Sequence, residues 1–443
     1  MFKNASLLAL SLLLQLGCAH ERASGTHADG ASCPHHGHHA RSHDPLRGFS
    51  SERLARVTAR MQQHVDEGAV PGIVTLVRRH GAVVHQDVVG FQDREARIPM
   101  RPDTIFRIYS MTKPITSVAV MMLVEEGKLR LAEPVDRLLP ELANPVVLER
   151  PDAPLEDARP ASGPITVRDL LTHTSGLAYE FTSTGPLSEA LRARGLLGSS
   201  SKLAPDEWLA RLGELPLMFD PGTRWHYSLS TDVLGVLVER ASGMAFAEFL
   251  HTRLFEPLGM VDTAFWVPEE KLPRFAVNYE RDPESGALVV VDAPATTSYG
   301  APPGFASGGG GLVSTAGDYM RFAEMMTNGG ELDGVRILGR KTVELMTRNA
   351  LWSGERISGA FGARFFLAGQ GFGLGVSVLE EPTEGATFGS VGQNGWGGAA
   401  STWYWSDPSE GISAVFMTQV MRGSATAPAS QDFQTAVYQA LVD

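Results

Sequence analysis

Strand-forming runs lie at the two ends of this chain, and helical periodicity fills the stretch between them. Near the amino end, residues 72–77 and 82–89 are apolar runs separated by Arg78-Arg79-His80-Gly81, a short polar connection ending in glycine that suits a β-hairpin. Near the carboxyl end, residues 372–379, 399–405 and 412–418 read as three more strands, the last two joined by the turn Asp407-Pro408-Ser409-Glu410-Gly411. Residues 115–126, 167–173, 205–213, 231–241, 245–254, 317–328 and 340–348 carry apolar residues at helix spacing with Gly or Pro at their edges. Helical patterns at 53–65 and 431–441 flank the two sets of strands. Strands so far apart in sequence pair most simply in one antiparallel sheet built from both chain ends. The expected class is therefore α+β, with a large helical region inserted at roughly residues 115–300. No internal repeat is visible.

The residues before this body read as an address rather than as structure. Lys3 precedes a polar-poor run over residues 5–16, too short to span a bilayer but the length of a signal-peptide apolar core. The run ends at Leu16-Gly17-Cys18, which resembles the bacterial lipoprotein cleavage signal with Cys18 as the acylated residue, although Gln15 departs from its usual leucine. Residues 1–17 are thus expected to be a signal peptide, the protein exported to the periplasm or anchored to the envelope, and any membrane contact confined to a lipid on Cys18. Residues 18–50 hold seven of the thirteen histidines among Gly, Ser and Ala, a composition that cannot bury enough surface to fold. They read as a solvated tether to a domain at 51–443. Imidazoles at this density can bind a divalent ion loosely, but no catalytic metal is assigned to them.

Composition narrows the chemistry. Apolar residues make up 43% of the 443, so a sizeable core can be buried. Acidic residues exceed basic ones for a net charge of −12 with no basic block, which argues against nucleic acid as a partner. Both cysteines, Cys18 and Cys33, precede the body, which excludes a sulfur nucleophile or thiolate cage within it. Positive charge is carried by 32 Arg and only six Lys, so each Lys invites the question of why Arg was not used.

One of those six stands in Ser110-Met111-Thr112-Lys113, just before a helical pattern whose apolar positions include Ile115, Val118, Met122 and Leu123. Spacing of three on a helix start puts Ser110 and Lys113 on one face, about 5–6 Å apart at Cβ. A serine hydroxyl needs a base to become nucleophilic. A desolvated Lys can lose its proton near neutral pH, whereas Arg cannot. The same spacing recurs at Ser199-Ser200-Ser201-Lys202, in a Gly/Ser-flanked segment with no helix to fix it, and is set aside.

Further motifs accompany Ser110. Phe106-Arg107-Ile108-Tyr109-Ser110, Leu170-Leu171-Thr172-His173-Thr174-Ser175-Gly176-Leu177, Pro221-Gly222-Thr223-Arg224-Trp225-His226-Tyr227-Ser228-Leu229 and Gly308-Gly309-Gly310-Gly311-Leu312-Val313-Ser314-Thr315 occur in this order. Together they resemble the serine β-lactamase and penicillin-binding-protein superfamily, most closely its class C-like branch and the family VIII carboxylesterases, from about residue 51 onward. The resemblance implies a β-lactamase-like fold without a cofactor. It implies Ser110 as the acylated serine, Lys113 as its proton acceptor and Tyr227 as the phenol that shuttles protons to the leaving group and to water. It also implies that Trp396-Gly397-Gly398, followed by Ala399 at the start of a strand, stands for the family's third motif, with the N–H groups of Ser110 and Ala399 forming the oxyanion hole. Trp396 replaces the cation that contacts the carboxylate of β-lactams, and Leu229 replaces an asparagine that binds their amide side chain. Both changes favour a neutral acyl or alkoxy group, so the substrate expected is a small neutral ester. A D,D-peptidase or weak β-lactamase is the alternative enzyme, and a non-catalytic penicillin-binding-like envelope protein the alternative from another class.

The glycine run 308–311 lacks the Gly-Lys-Ser/Thr of a phosphate loop and reads as a flexible connection. No G-x-S-x-G pentapeptide occurs, which disfavours an α/β-hydrolase. His173 and His226 lie in motifs without metal-pair spacing and read as structural hydrogen bonders near the cleft.

Overall fold

The computed structural model describes residues 46–351, 369–382, 388–421 and 427–443. The signal peptide and most of the tether therefore lie outside the described residues. Five of the tether's expected residues do not: Leu46–Gly48 form a turn and Phe49 is buried, bridging to Leu441. Residues just before Ser51 thus belong to the body, with Phe49 packed in the same cluster as Phe433 and Val437 of the carboxyl-terminal helix.

Both chain ends meet in one sheet. Strand β1 (Gly72–Arg79) turns through His80 and Gly81, at φ 47° and 79°, into β2 (Ala82–Asp93). Two successive positive-φ residues form the turn whose twist matches a hairpin. A short β3 (Ile98–Pro99) adds the edge. From the far end come β4 (Gln370–Phe372), β5 (Ser377–Leu379), β6 (Asn394–Gly397), β7 (Trp403–Asp407) and β8 (Ile412–Met417), and the order across the sheet is β4-β5-β6-β7-β8-β1-β2-β3. The join is antiparallel, from Val74 opposite Met417 to Arg79 opposite Ile412. Two strands of this sheet were missed in the sequence: the short edge strand β3, and β6, which carries Trp396 and Gly397. Ala399 does not open a strand as expected but lies in the turn between β6 and β7. The run 372–379 is broken into two short strands by Gly373–Val376.

Alternation along the strands sorts the core into two layers. Ile73, Val77, Ala414 and Phe416 face one way, onto helix α1 (Ser51–Asp66) and helix α5 (Ala427–Gln439), meeting Leu54, Val57, Phe433 and Val437. Val74, Leu76, Val415 and Met417 face the other way, onto a larger cluster built by α2 (Thr112–Glu125), α3 (Ser230–Ser242) and α4 (Ala316–Thr327). The helical insertion extends past residue 300, through Arg340–Met346.

Helix α2 differs from the single apolar stripe its sequence suggested. All residues from Thr112 through Leu123 are buried, so it is a core helix enclosed on every side. Lys113 is carried into that core with it.

Candidate active site

Ser110 is held in a pinned turn. Arg107 pairs with Val313 in a two-residue strand, Ile108 donates its N–H to the Leu312 carbonyl at 3.1 Å, and Tyr319 donates its hydroxyl to the Met111 carbonyl at 2.7 Å. Tyr109 between them sits at φ 41°, a left-handed conformation that a bulky residue keeps only when its surroundings impose it. Asn278 helps, donating from Nδ2 to the Tyr109 hydroxyl at 3.2 Å. The turn runs directly into α2, whose amino-terminal dipole favours negative charge developing at Ser110.

Three expected residues converge. Lys113 Nζ lies 3.2 Å from Ser110 Oγ and donates to the Gly309 carbonyl at 2.6 Å. The Tyr227 hydroxyl donates to Ser110 Oγ at 2.6 Å. Lys113 is 1% exposed and Tyr227 5%, whereas Ser110 keeps partial exposure. Nζ also stands 4.5 Å from the Tyr227 ring centroid and 5.3 Å from that of Tyr179, and both ring faces attract an ammonium. With a neutral amine, the same Ser–Lys contact reverses and the hydroxyl donates to nitrogen. The arrangement can therefore take a proton from Ser110 and return it through Tyr227.

The third motif reaches the site from the sheet. A Cβ on Gly398 would lie 2.4 Å from the Ile108 carbonyl oxygen, so the end of β6 touches the segment that carries Ser110, and only glycine permits this approach. Ala399 follows with partial exposure, and Gly397, paired with Trp403, is buried. This places the backbone of Ala399 and Ser110 on adjoining segments, as an oxyanion hole requires. The Trp396 ring lies 5.9 Å from that of Tyr227 and 5.3 Å from that of Phe372.

Leu229 departs from expectation. It is fully buried at the start of α3 and belongs to the larger core cluster, so it has no surface to offer a substrate. The aromatic rings of Trp396, Trp225 and Tyr179, each keeping a little exposed surface, stand around Tyr227 instead. Phe181, half-exposed and stacked on Tyr179 at 4.8 Å, extends this group outward.

Of the two motif histidines, only His173 makes the side-chain hydrogen bond expected of it; the Nε2 of His226 is buried without a hydrogen-bond partner among the described residues. His173 is buried, with Nδ1 3.3 Å from Ser228 Oγ and its ring 4.9 Å from that of Tyr227. Burial, with a smaller contribution from the charge of Lys113, holds its imidazole well below the usual range. His226 donates its backbone N–H to the His173 carbonyl at 2.8 Å, and burial, helped by Arg224, lowers its imidazole to about 4.

Two features escaped the sequence reading. The glycine run is buried rather than loose: a Cβ on Gly308 would lie 2.4 Å from the Thr231 carbonyl oxygen, and one on Gly309 would lie 2.3 Å from Asp232 Oδ2. Asp232, five residues after Tyr227 in the first turn of α3, is fully buried behind Gly309. An acid on a helix otherwise lined by Val233, Leu234, Val236 and Leu237 was the available signal.

A sheet from both chain ends, a serine with a lysine one turn on and a tyrosine hydroxyl against it define a serine β-lactamase-like protein. The chain belongs to the Beta-lactamase family, which it matches over residues 57–437. It is 40% identical over 364 residues to an uncharacterized protein of Mycobacterium tuberculosis, covering 82% of this chain and 88% of that one. It is 33% identical over 402 residues to Esterase EstB of Burkholderia gladioli, covering 87% and 95% of the two chains. Among solved structures it resembles EstCE1, described as a hydrolase with promiscuous acyltransferase activity, with a TM-score of 0.74, 29% identity and coverage of 87% and 99%.

Proposed function

We propose that this enzyme hydrolyses small neutral carboxylic esters through an acyl-enzyme on Ser110. The supporting observation is Ser110 Oγ within hydrogen-bonding distance of both Lys113 and Tyr227, with the apolar Trp396 at the head of the third motif and its ring 5.9 Å from that of Tyr227. Ser110 Oγ bonds the acyl carbon, the carbonyl electron pair moves to its oxygen under the N–H groups of Ser110 and Ala399, and the hydroxyl proton passes to Lys113. Collapse breaks the bond to the alcohol oxygen, which takes the proton back by way of Tyr227. Water then repeats the sequence on the acyl-enzyme and releases the acid.

Recognition decides between ester and β-lactam, since both need the same serine and base. A β-lactam brings a carboxylate that finds no cation at Trp396, and a lost charge-assisted hydrogen bond costs about 1.5–3 kcal/mol, or roughly 10- to 150-fold. A short acyl chain gains from burial against the rings. The test compares kcat/KM for acetyl and butyryl nitrophenyl esters with that for a chromogenic cephalosporin. The esters are expected to lead by about two orders of magnitude or more, and Trp396→Lys to narrow the gap. Cephalosporin turnover equal to or better than ester turnover overturns the reading in favour of a β-lactamase.

A further inference from the structure

We propose that Asp232 is a positioning residue that fixes Gly309 against Lys113 and balances the charge Lys113 takes up when Ser110 is deprotonated. This rests on the Ser110–Lys113 chemistry proposed above and adds a partner to it.

Asp232 has no exposed surface, and a buried carboxylate is costly unless it is paired and hydrogen-bonded. Three donors meet it: Ser307 Oγ to Oδ1 at 2.5 Å, the Gly309 N–H to Oδ1 at 3.1 Å and the Tyr179 hydroxyl to Oδ2 at 3.2 Å. An ionised carboxylate only accepts, so three donors suit the anion. Burial pushes its proton affinity up, and the charge of Lys113 is the largest influence opposing that.

Gly309 is gripped from both sides, its N–H on Asp232 and its carbonyl on Lys113 Nζ. Tyr179 makes a second bridge, with its hydroxyl on Asp232 and its ring facing Nζ. Lys113 is otherwise faced by Ser110 from its own segment, by the Tyr227 ring from the loop before α3 and by His173, which burial keeps neutral. Asp232 is faced in addition by Glu180, whose carboxyl burial pushes up, with the charge of Asp232 a lesser contributor. Asp232 thus supplies the negative charge to this group. When the Ser110 proton reaches Nζ, an ammonium forms on an almost fully buried side chain, and the anion behind Gly309 stabilises it. The logic is that of the carboxylate in a Ser-His-Asp triad, which stabilises the protonated base without itself taking the proton.

The experiment measures Ser110 modification by a fluorophosphonate across pH, alongside kcat/KM for nitrophenyl butyrate, in wild type and Asp232→Asn, with melting temperature as a check on folding. An opposite charge close by moves a titration by about 1–3 pH units. Without it the ammonium releases its proton more readily, so the acid limb of both profiles is expected to move down by about that amount. The plateau rate is expected to fall by no more than about tenfold per unit moved, because a base of lower proton affinity is a weaker base. A plateau loss with an unmoved limb marks a merely structural role and overturns the proposal, as does an upward shift. If Asp232→Asn does not fold, Ser307→Ala and Tyr179→Phe carry the test. Each removes one donor that keeps Asp232 ionised, each is expected to shift the limb the same way by less, and an unmoved limb in both refutes the idea. Labelling of Ser110 without ester turnover counts against the substrate reading alone and leaves the shift measurable. Absence of labelling at every pH removes the nucleophile and this inference with it.

Discussion

A single methyl group added at Gly398 tests whether the end of β6 and the Ser110 turn must sit as close as they do. The Gly398 backbone is not left-handed, so alanine meets no torsional penalty and the effect is steric. Its Cβ would lie 2.2 Å from Thr402 Oγ1 and 2.4 Å from the Ile108 carbonyl oxygen. The threonine hydroxyl can rotate away. The carbonyl cannot, because it already accepts from Met111 while the Ile108 N–H is bonded to Leu312. Reaching an ordinary contact therefore requires the two backbones to part by about 0.6–1 Å, in an interior packed tightly enough to transmit the shift. That is the spacing of the two N–H groups assigned to the oxyanion. A misplacement of about 1 Å costs about 100-fold in rate, equivalent to roughly 2.7 kcal/mol of barrier, while overpacking costs the fold about 1–3 kcal/mol. Steady-state kinetics of Gly398→Ala with nitrophenyl butyrate should show kcat down by about two orders of magnitude and KM within a few-fold. Thr402→Ala added to it should not restore the rate. A folded Gly398→Ala enzyme keeping more than about a third of wild-type kcat would falsify the placement of the oxyanion hole.

Three further outcomes are expected. Lys113→Arg should behave like Ser110→Ala, losing about 10²–10⁴-fold in turnover because a guanidinium cannot accept the serine proton, and retention of more than about a tenth of the activity would remove Lys113 as the base. Stability should be full above about pH 6.5 and decline toward pH 4, because the unfolded chain protonates imidazoles that the fold keeps neutral; His226, lowered to about 4, contributes of order 3 kcal/mol to that decline. Urea unfolding at pH 7 and pH 4 checks this, and a difference no smaller in His226→Gln than in wild type contradicts it. Mass spectrometry of the protein from a bacterial envelope should find an acylated amino-terminal Cys18 and no residues 1–17, whereas an unmodified Cys18 thiol rules out the lipid anchor.

What the sequence revealed was whatever a residue does with its near neighbours in the chain. Ser110 and Lys113 share a face because helix geometry is local, and the helix over 205–213 has the bounds its flanking Pro and Gly suggested. The hairpin was legible because His80-Gly81 is a turn that few residue pairs adopt. Strand β6 was not, since Asn394-Gly395-Trp396-Gly397 lacks the β-branched residues that advertise a strand. Its glycines are there for close approach: a Cβ on Gly395 would lie 2.2 Å from the Tyr404 carbonyl oxygen across the sheet.

The same distinction separates Leu229 from Asp232. Motif spacing put Leu229 two residues beyond Tyr227 and suggested a side chain pointing at substrate, yet spacing fixes distance along the chain and not the direction of a side chain where a loop becomes a helix. Leu229 is the residue preceding α3, and its side chain enters the core. Asp232, three residues on, is an acid in a first helical turn, where the dipole welcomes negative charge. What makes it more than that is tertiary: α3 packs against α2, and Gly308 and Gly309 let the chain pass directly against Thr231 and Asp232 of α3. The sequence of that run suggested slack, because glycine is also the residue of flexible loops. The structure reverses the inference, for Gly308 and Gly309 have no room for a Cβ, and their tightness is what brings a carboxylate up behind the lysine.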